Sequence, residues 1–202
     1  MTRASKLKRL EESLEFLVKD SADIYILFVD LCDSTEYKRN NPEWVWVTRQ
    51  LLFLRRVANI ITNYGGIVVK TIGDEVMGIF QVRSNPEDVL KCAIEIVQGS
   101  KRFKVFMGKE IIRVRASIDF GLTYNGSIIT KGNYDPIGTP VDRCARLNSR
   151  ANRNEILFSQ DFLSTLLVNF TEEQLIEKYG FTRREEDLQG IGIIDAFSIL
   201  IH

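Results

Sequence analysis

The 202 residues, 45% hydrophobic and 27% charged, suffice for one domain with a proper core, and 27 basic against 27 acidic side chains leave no net charge. That balance argues against a nucleic-acid-binding face, and with no signal-peptide pattern and no apolar run of roughly 20 residues the sequence reads as cytoplasmic, without a membrane span. The only histidine, His202, sets aside His-based triads and His-ligated metals, while the scattered Cys32, Cys92 and Cys144 read as reduced thiols rather than disulfides or a zinc site.

Leu7, Leu10, Leu14 and Leu17 recur at helical spacing among charges, which predicts a helix over residues 1–21, packed on its own domain or serving as a dimer contact. Residues 22–202 then form the main domain. Ile24-Tyr25-Ile26-Leu27-Phe28-Val29 predicts a strand that ends at Asp30. A helix over about 42–64 follows, with Pro42 at its first turn and Gly65-Gly66 just past its end. Gly73-Asp74 between two β-prone runs predicts a tight hairpin over 67–80. Ser84-Asn85-Pro86 opens a helix over about 86–103. Strands follow at about 111–121 and 126–130, then a loop over 131–140 and a helix over about 140–150. A strand at 155–158, small helices to about 178 and a final strand pair close the order. This order predicts an α+β fold, a ferredoxin-like (palm-like) sandwich with helices on one face of a mainly antiparallel sheet.

Asp30 and Asp74 each stand at the end of an apolar strand. Two carboxylates converging at one sheet edge, beside few other ligands, suit Mg²⁺ or Mn²⁺ bound together with substrate phosphates, which is the apparatus of two-metal phosphoryl chemistry. The Leu31 carbonyl offers a further hard oxygen, and backbone N–H groups of Asp33, Ser34 and Thr35 offer a phosphate cradle where the strand turns into the next helix. Asp142 and Arg146 share a helix face, either as a surface ion pair or with the guanidinium aimed at charge developing on a phosphoryl group. Taken alone, Lys70 reads as a solvated strand lysine and Asp135 as an Asx-type turn residue.

Three segments together resemble one family. Phe28-Val29-Asp30-Leu31-Cys32-Asp33-Ser34-Thr35 and Val69-Lys70-Thr71-Ile72-Gly73-Asp74 are similar to the two metal motifs of the class III nucleotidyl cyclases. Tyr134-Asp135-Pro136-Ile137-Gly138 through Val141-Asp142-Arg143-Cys144-Ala145-Arg146-Leu147 resembles that family's base-recognition and transition-state segment, and the set spans about residues 22–160 in the family's order. The resemblance implies a homodimer with active sites at the interface and a nucleoside triphosphate substrate. It implies two divalent metal ions per site, Mn²⁺ or Mg²⁺, held by Asp30, Asp74 and the Leu31 carbonyl. Arg146 of the partner subunit would stabilise the transition state, and Lys70 with Asp135 would read the base. The ribose 3′-oxygen would attack the α-phosphorus and release pyrophosphate.

Three positions depart from the family pattern. Asp142 stands where the transition-state asparagine falls, which replaces an amide donor by an acceptor-only carboxylate. Gln189 aligns with a late-strand phosphate lysine, for which Arg183 or Arg184 is the expected substitute, and Thr139 replaces an aspartate. The chain is similar to stand-alone bacterial Pycsar pyrimidine cyclases, which implies conversion of UTP or CTP to cyclic UMP or cyclic CMP as an anti-phage second messenger. Tyr37 would then fill a pocket narrowed for a one-ring base. An adenylate cyclase and a catalytically inactive nucleotide-binding or partner module stay open beside it. Gly73-Asp74-Glu75 also resembles the hairpin motif of diguanylate cyclases, but the Asp135 to Arg146 segment has no place in that scheme.

Overall fold

A computed structural model of the chain describes residues 21–100, 112–125 and 134–202. Strand β1 (Ser21–Leu31) leads to a short helix α1 (Ser34–Asn40) and a long helix α2 (Glu43–Asn63). The hairpin β2 (Ile67–Ile72) and β3 (Glu75–Gln81) precedes helix α3 (Pro86–Ser100) and strand β4 (Val114–Asn125). A two-residue strand β5 (Pro136–Ile137), helix α4 (Thr139–Arg150) and strand β6 (Glu155–Ser159) come next. Helices α5 (Gln160–Leu166) and α6 (Glu172–Tyr179) and strands β7 (Thr182–Leu188) and β8 (Gly192–Leu200) complete the chain. One sheet runs in the order β2-β3-β1-β4-β6-β8-β7, with β5 paired to β4, and every pairing is antiparallel except β4 with β6. This is the mixed α+β arrangement expected.

β1 is central and almost wholly apolar because both of its faces are covered. Tyr25, Leu27, Val29 and Leu31 enter the larger core with Phe53, Val57 and Ile61 of α2 and Val89, Leu90 and Ile96 of α3. Alternate residues Ile24, Ile26 and Phe28 point to the other face, where they meet Met77, Ile79 and Cys144 of α4. Here the structure departs from the expectation of helices on one face. The apolar stripe of α4, led by Cys144 and Leu147, closes the second face, and strand alternation gives it a place to bind.

The hairpin forms as predicted. Gly73, at φ 65°, supplies the positive φ that the first loop residue of a type II′ turn needs. Gln50 Nε2 of α2 donates to the Gly73 carbonyl at 2.7 Å and so fixes the tip. Gly78 lets α2 lie close over the hairpin, since a Cβ there would come within 2.9 Å of Ile61 Cδ1.

Helix α1 was not anticipated, and β4 continues to Asn125 where the sequence suggested a strand ending near 121. The expected strand at 126–130, residues 131–133 of the 131–140 loop, the last turn of the 86–103 helix and all but Ser21 of the 1–21 helix lie outside the described residues, while the rest of that loop holds β5 and the start of α4. Among the described residues no helix is long and apolar enough to cross a membrane.

Candidate active site

Strand register brings the two aspartates together. Val29 of β1 pairs with Val76 of β3 as the last pair of that ladder, Asp30 follows it directly, and the β2–β3 turn brings Asp74 and Glu75 close enough for their charges to act on Asp30. On its other side β1 pairs with β4, where Asp30 is opposite Arg115. Arg115 donates to Asp30 Oδ2 from Nε at 2.8 Å and from Nη2 at 2.5 Å. Lys38 of α1 holds its Nζ 3.4 Å from Asp74 Oδ1 and 5.4 Å from the centre of the Trp46 ring. Each aspartate therefore has its own cation.

Burial pushes the Asp30 carboxyl above the ordinary carboxylate range, and the Arg115 guanidinium, which pulls it down, does not fully offset this; the negative Asp74 adds to the rise. The neighbouring Glu75 is likewise raised, chiefly by burial, although its carboxylate accepts a hydrogen bond from Asn148 Nδ2 at 3.0 Å. Clustered carboxylates of this kind favour a bound cation. Asp30, Asp74 and the Leu31 carbonyl offer only hard oxygen donors, which fit Mg²⁺ or Mn²⁺. Among the described residues no set of three His, Cys, Asp or Glu side chains could hold an ion by itself, so oxygens of the substrate would have to complete the shell.

Beyond Leu31 the chain turns sharply through Asp33, which takes the left-handed conformation at φ 61° that Asp tolerates better than most residues. Asp33, Ser34 and Thr35 line a cavity of about 550 Å³ together with Asp30, Arg115 and Arg153. Arg153 Nη2 donates to Asp33 Oδ1 at 2.6 Å. A larger cavity of about 940 Å³, walled by Tyr25, Phe120, Leu122 and Val168, opens toward the other end of β1 and contains neither aspartate.

Lys70 and Asp135, distant in sequence, meet. Lys70 Nζ donates to Asp135 Oδ1 at 2.7 Å and to Oδ2 at 3.0 Å. Tyr37 is not gathered with them. Its ring stacks under Arg49 of α2 at 4.1 Å, in a separate cavity of about 250 Å³.

On α4, Asp142 is exposed and Arg146 half-buried, and among the described residues neither enters an ion pair. The Arg146 guanidinium lies beside Gly190 in the β7–β8 turn, next to Gln189, rather than at the aspartates of its own chain. Arg143 between them is committed inward. It donates to the fully buried Asp119 from Nε at 2.6 Å and from Nη2 at 2.8 Å, and also pairs with Asp161. Arg183 and Arg184, the expected substitutes for the phosphate lysine, are engaged elsewhere. Arg183 pairs with Asp195 at 2.6 Å, and Arg184 pairs with the buried Glu155 at 2.8 Å.

Sequence reasoning missed Arg115, Arg153 and Lys38. Arg115 stands with Arg113 on the polar face of the alternating stretch Ile112-Arg113-Val114-Arg115-Ala116-Ser117-Ile118, which looks like an ordinary solvated strand face, and Arg153 and Lys38 sit in polar surroundings that look like solvated surface. The three cysteines are buried and unpaired, and burial raises the Cys32 thiol to about 11 and the Cys92 thiol to about 12, so both stay neutral.

The sequence pattern of the family described as adenylate and guanylate cyclase catalytic domain matches residues 17–192. No curated relative matches. Among solved structures, the guanylate cyclase domain of RhGC from Catenaria anguillulae in complex with GTP is 17% identical with a TM-score of 0.76, covering 90% of this chain and 97% of that one. The adenylyl cyclase CyaB from P. aeruginosa is 20% identical with a TM-score of 0.70, covering 90% and 95%. An adenylate cyclase from Trypanosoma brucei in its monomeric state is 18% identical with a TM-score of 0.70, covering 88% and 89%. At these identities the structural likeness speaks for the fold.

Proposed function

The chain belongs to the family of adenylate and guanylate cyclase catalytic domains and is a nucleotide cyclase, and from that premise we propose that it converts a pyrimidine nucleoside triphosphate, CTP or UTP, to the 3′,5′-cyclic nucleotide and pyrophosphate. The observation that carries the cyclase chemistry is the pair Asp30 and Asp74 at neighbouring strand ends, each beside its own cation, close to a cavity with two guanidinium groups. Two divalent ions held by Asp30, Asp74 and the Leu31 carbonyl would supply acidity for the ribose 3′-hydroxyl and neutralise the triphosphate. In the reaction the 3′-oxygen forms a bond to the α-phosphorus, the bond from that phosphorus to the bridging oxygen breaks, pyrophosphate leaves with that oxygen, and the hydroxyl proton passes to solvent. Backbone N–H groups of Asp33, Ser34 and Thr35 orient the phosphates.

The active form in this reading is a homodimer. Arg146 of the partner subunit stabilises charge on the α-phosphoryl group, and Asp142, one helical turn before it, orients the ribose or the guanidinium. The position of Arg146 at the β7–β8 turn of its own chain supports this division of labour. So do Trp44, Leu51, Ile72 and Ile193, large apolar side chains that are each more than half exposed.

Lys70 and Asp135 read the base, one as donor and the other as acceptor. Their closed contact favours a small base, and Asp142 and Thr139 depart from the family pattern in the same segment, which supports the pyrimidine. The cyclic product acts in the cytoplasm as a second messenger of anti-phage defence, as the resemblance to Pycsar cyclases suggests. A second reading, cyclic AMP from ATP, is favoured by the same Lys70–Asp135 pair, because adenine and cytosine both present a ring-nitrogen acceptor beside an amino donor. Incubation with ATP, GTP, CTP and UTP plus Mn²⁺, with products identified by mass spectrometry, decides. Cyclic CMP or cyclic UMP is expected; cyclic AMP alone overturns the pyrimidine reading, and no cyclic product overturns cyclase activity.

A further inference from the structure

We propose that Arg153 is a phosphate-binding residue, donating to the distal phosphates of the bound triphosphate from the mouth of the cavity that ends β1, with Asp33 steering its guanidinium; this rests on the cyclase reading above. The cavity sets two carboxylates against two guanidinium groups, Asp30 and Asp33 opposite Arg115 and Arg153. Arg115 lies deeper, with two of its nitrogens on Asp30. Arg153 is 55% exposed along its side chain and engages Asp33 through Nη2 alone among the described residues. A guanidinium carries five N–H donors in a planar fork, so most of those on Arg153 stay available to phosphate oxygens without breaking the Asp33 contact.

The backbone beneath it is braced. Asn152 donates to Glu155 Oε2 from its backbone N at 2.5 Å and from Nδ2 at 2.9 Å. Asn154 N donates to the Val114 carbonyl at 2.8 Å, and Ile201 N donates to the Asn154 carbonyl at 2.9 Å. Arg153 therefore projects from a fixed turn whose neighbour is bonded to the residue just before Arg115. That gives preorganisation on the main chain and adaptability only in the side chain.

Charge completes the argument. Asp33 takes no part in the metal set, and a bare carboxylate among phosphates would repel them. Arg153 cancels that charge and presents donors at the same point. Arg183 and Arg184 cannot reach for this task while bound to Asp195 and Glu155.

The test is calorimetric titration of the full chain with inorganic tripolyphosphate in Mg²⁺, a probe that needs no base, for the unaltered protein, R153Q and D33N/R153Q. R153Q is expected to bind about tenfold more weakly, the loss of a charge-assisted contact, with CMP affinity unchanged. D33N/R153Q is expected to recover only part of that loss. Equal affinity in R153Q, or full recovery in the double variant, overturns the proposal, the second outcome reducing Arg153 to a screen for Asp33. If the unaltered chain cyclises a nucleotide and R153Q leaves its KM unchanged, Arg153 fails while the cyclase reading stands; if the unaltered chain cyclises none of the four nucleotides, both fall. An unshifted unfolding midpoint checks that R153Q folds.

Discussion

Removing Arg143 tests how α4, which carries Asp142 and Arg146, is set against the sheet. Asp119 is 0% exposed and receives Arg143 Nε and Nη2, Ser159 Oγ at 2.5 Å and the Phe120 N–H at 2.7 Å. Burial already lifts the Asp119 carboxyl above its ordinary range, and the hydrogen bonds and charge of Arg143 are the largest forces pulling it down. R143M strips away the partner charge and leaves a buried carboxylate with two neutral donors, a loss of about 3–5 kcal/mol at neutral pH. The sign with pH follows from the carboxyl being raised further in the variant. A raised carboxyl binds its proton more tightly folded than unfolded, so the penalty is full above the folded pKa and shrinks as pH falls through it. Urea unfolding at pH 7.5 and pH 5 reads both effects. The variant is expected to close part of its gap to the unaltered chain at the lower pH. A loss below about 1 kcal/mol, the scale of a surface pair, or a gap independent of pH would refute the buried-charge reasoning.

Asp74→Ala and Arg146→Ala are each expected to abolish cyclisation, and subunit exchange between them is expected to restore part of the activity; no recovery on mixing counts against sites shared across a dimer. Lys38→Met frees Asp74 of its counter-ion, and Mn²⁺ titration followed by electron paramagnetic resonance, without nucleotide, is expected to show about two- to fivefold tighter binding, the scale of a partly exposed pair; unchanged or weaker binding refutes the competition. Glu87 at the start of α3 accepts from Lys178 at 2.5 Å, Tyr179 at 2.6 Å and Lys91 at 3.0 Å, and these bonds hold it down to about 2. A lowered carboxyl stabilises above its unfolded pKa and loses that contribution as pH falls toward its folded value. E87Q is therefore expected to cost about 1.5–3 kcal/mol at pH 7 and much less near pH 3, read from urea midpoints; an equal deficit at both refutes it.

What could be read from the sequence was whatever local physics decides. The β1 run is apolar because both its faces are covered, and Gly73-Asp74 marks a turn because few other residues accept its backbone. Both features act within ten residues, and they carried Asp30 and Asp74 with them. The missing cations depended on pairing that no local signal sets. Arg115 meets Asp30 only because β1 and β4 pair in one register, and a slip of one residue would turn Arg115 to the opposite face. Helix α1 has seven residues and no buried side chain, so it shows no hydrophobic period to detect. The stripe of α4 said that one face is buried but not against which side of the sheet.

The same distinction explains why the site was half legible. Carboxylates set close together cannot be left bare in a partly buried strand end, because neighbouring negative charges raise one another's energy. A fold that keeps such a pair must supply cations from elsewhere in the chain, and here they come from α1 and β4 as Lys38 and Arg115. Both are held by one carboxylate oxygen, so neither pair is a closed bidentate clamp of the kind that binds Arg143 to Asp119. In the proposed function, those open contacts would leave acceptor capacity on Asp30 and Asp74 for an incoming ion. The contrast in geometry sets the two open pairs at Asp30 and Asp74 apart from the closed pair at Asp119, and charge alone could not have drawn that line.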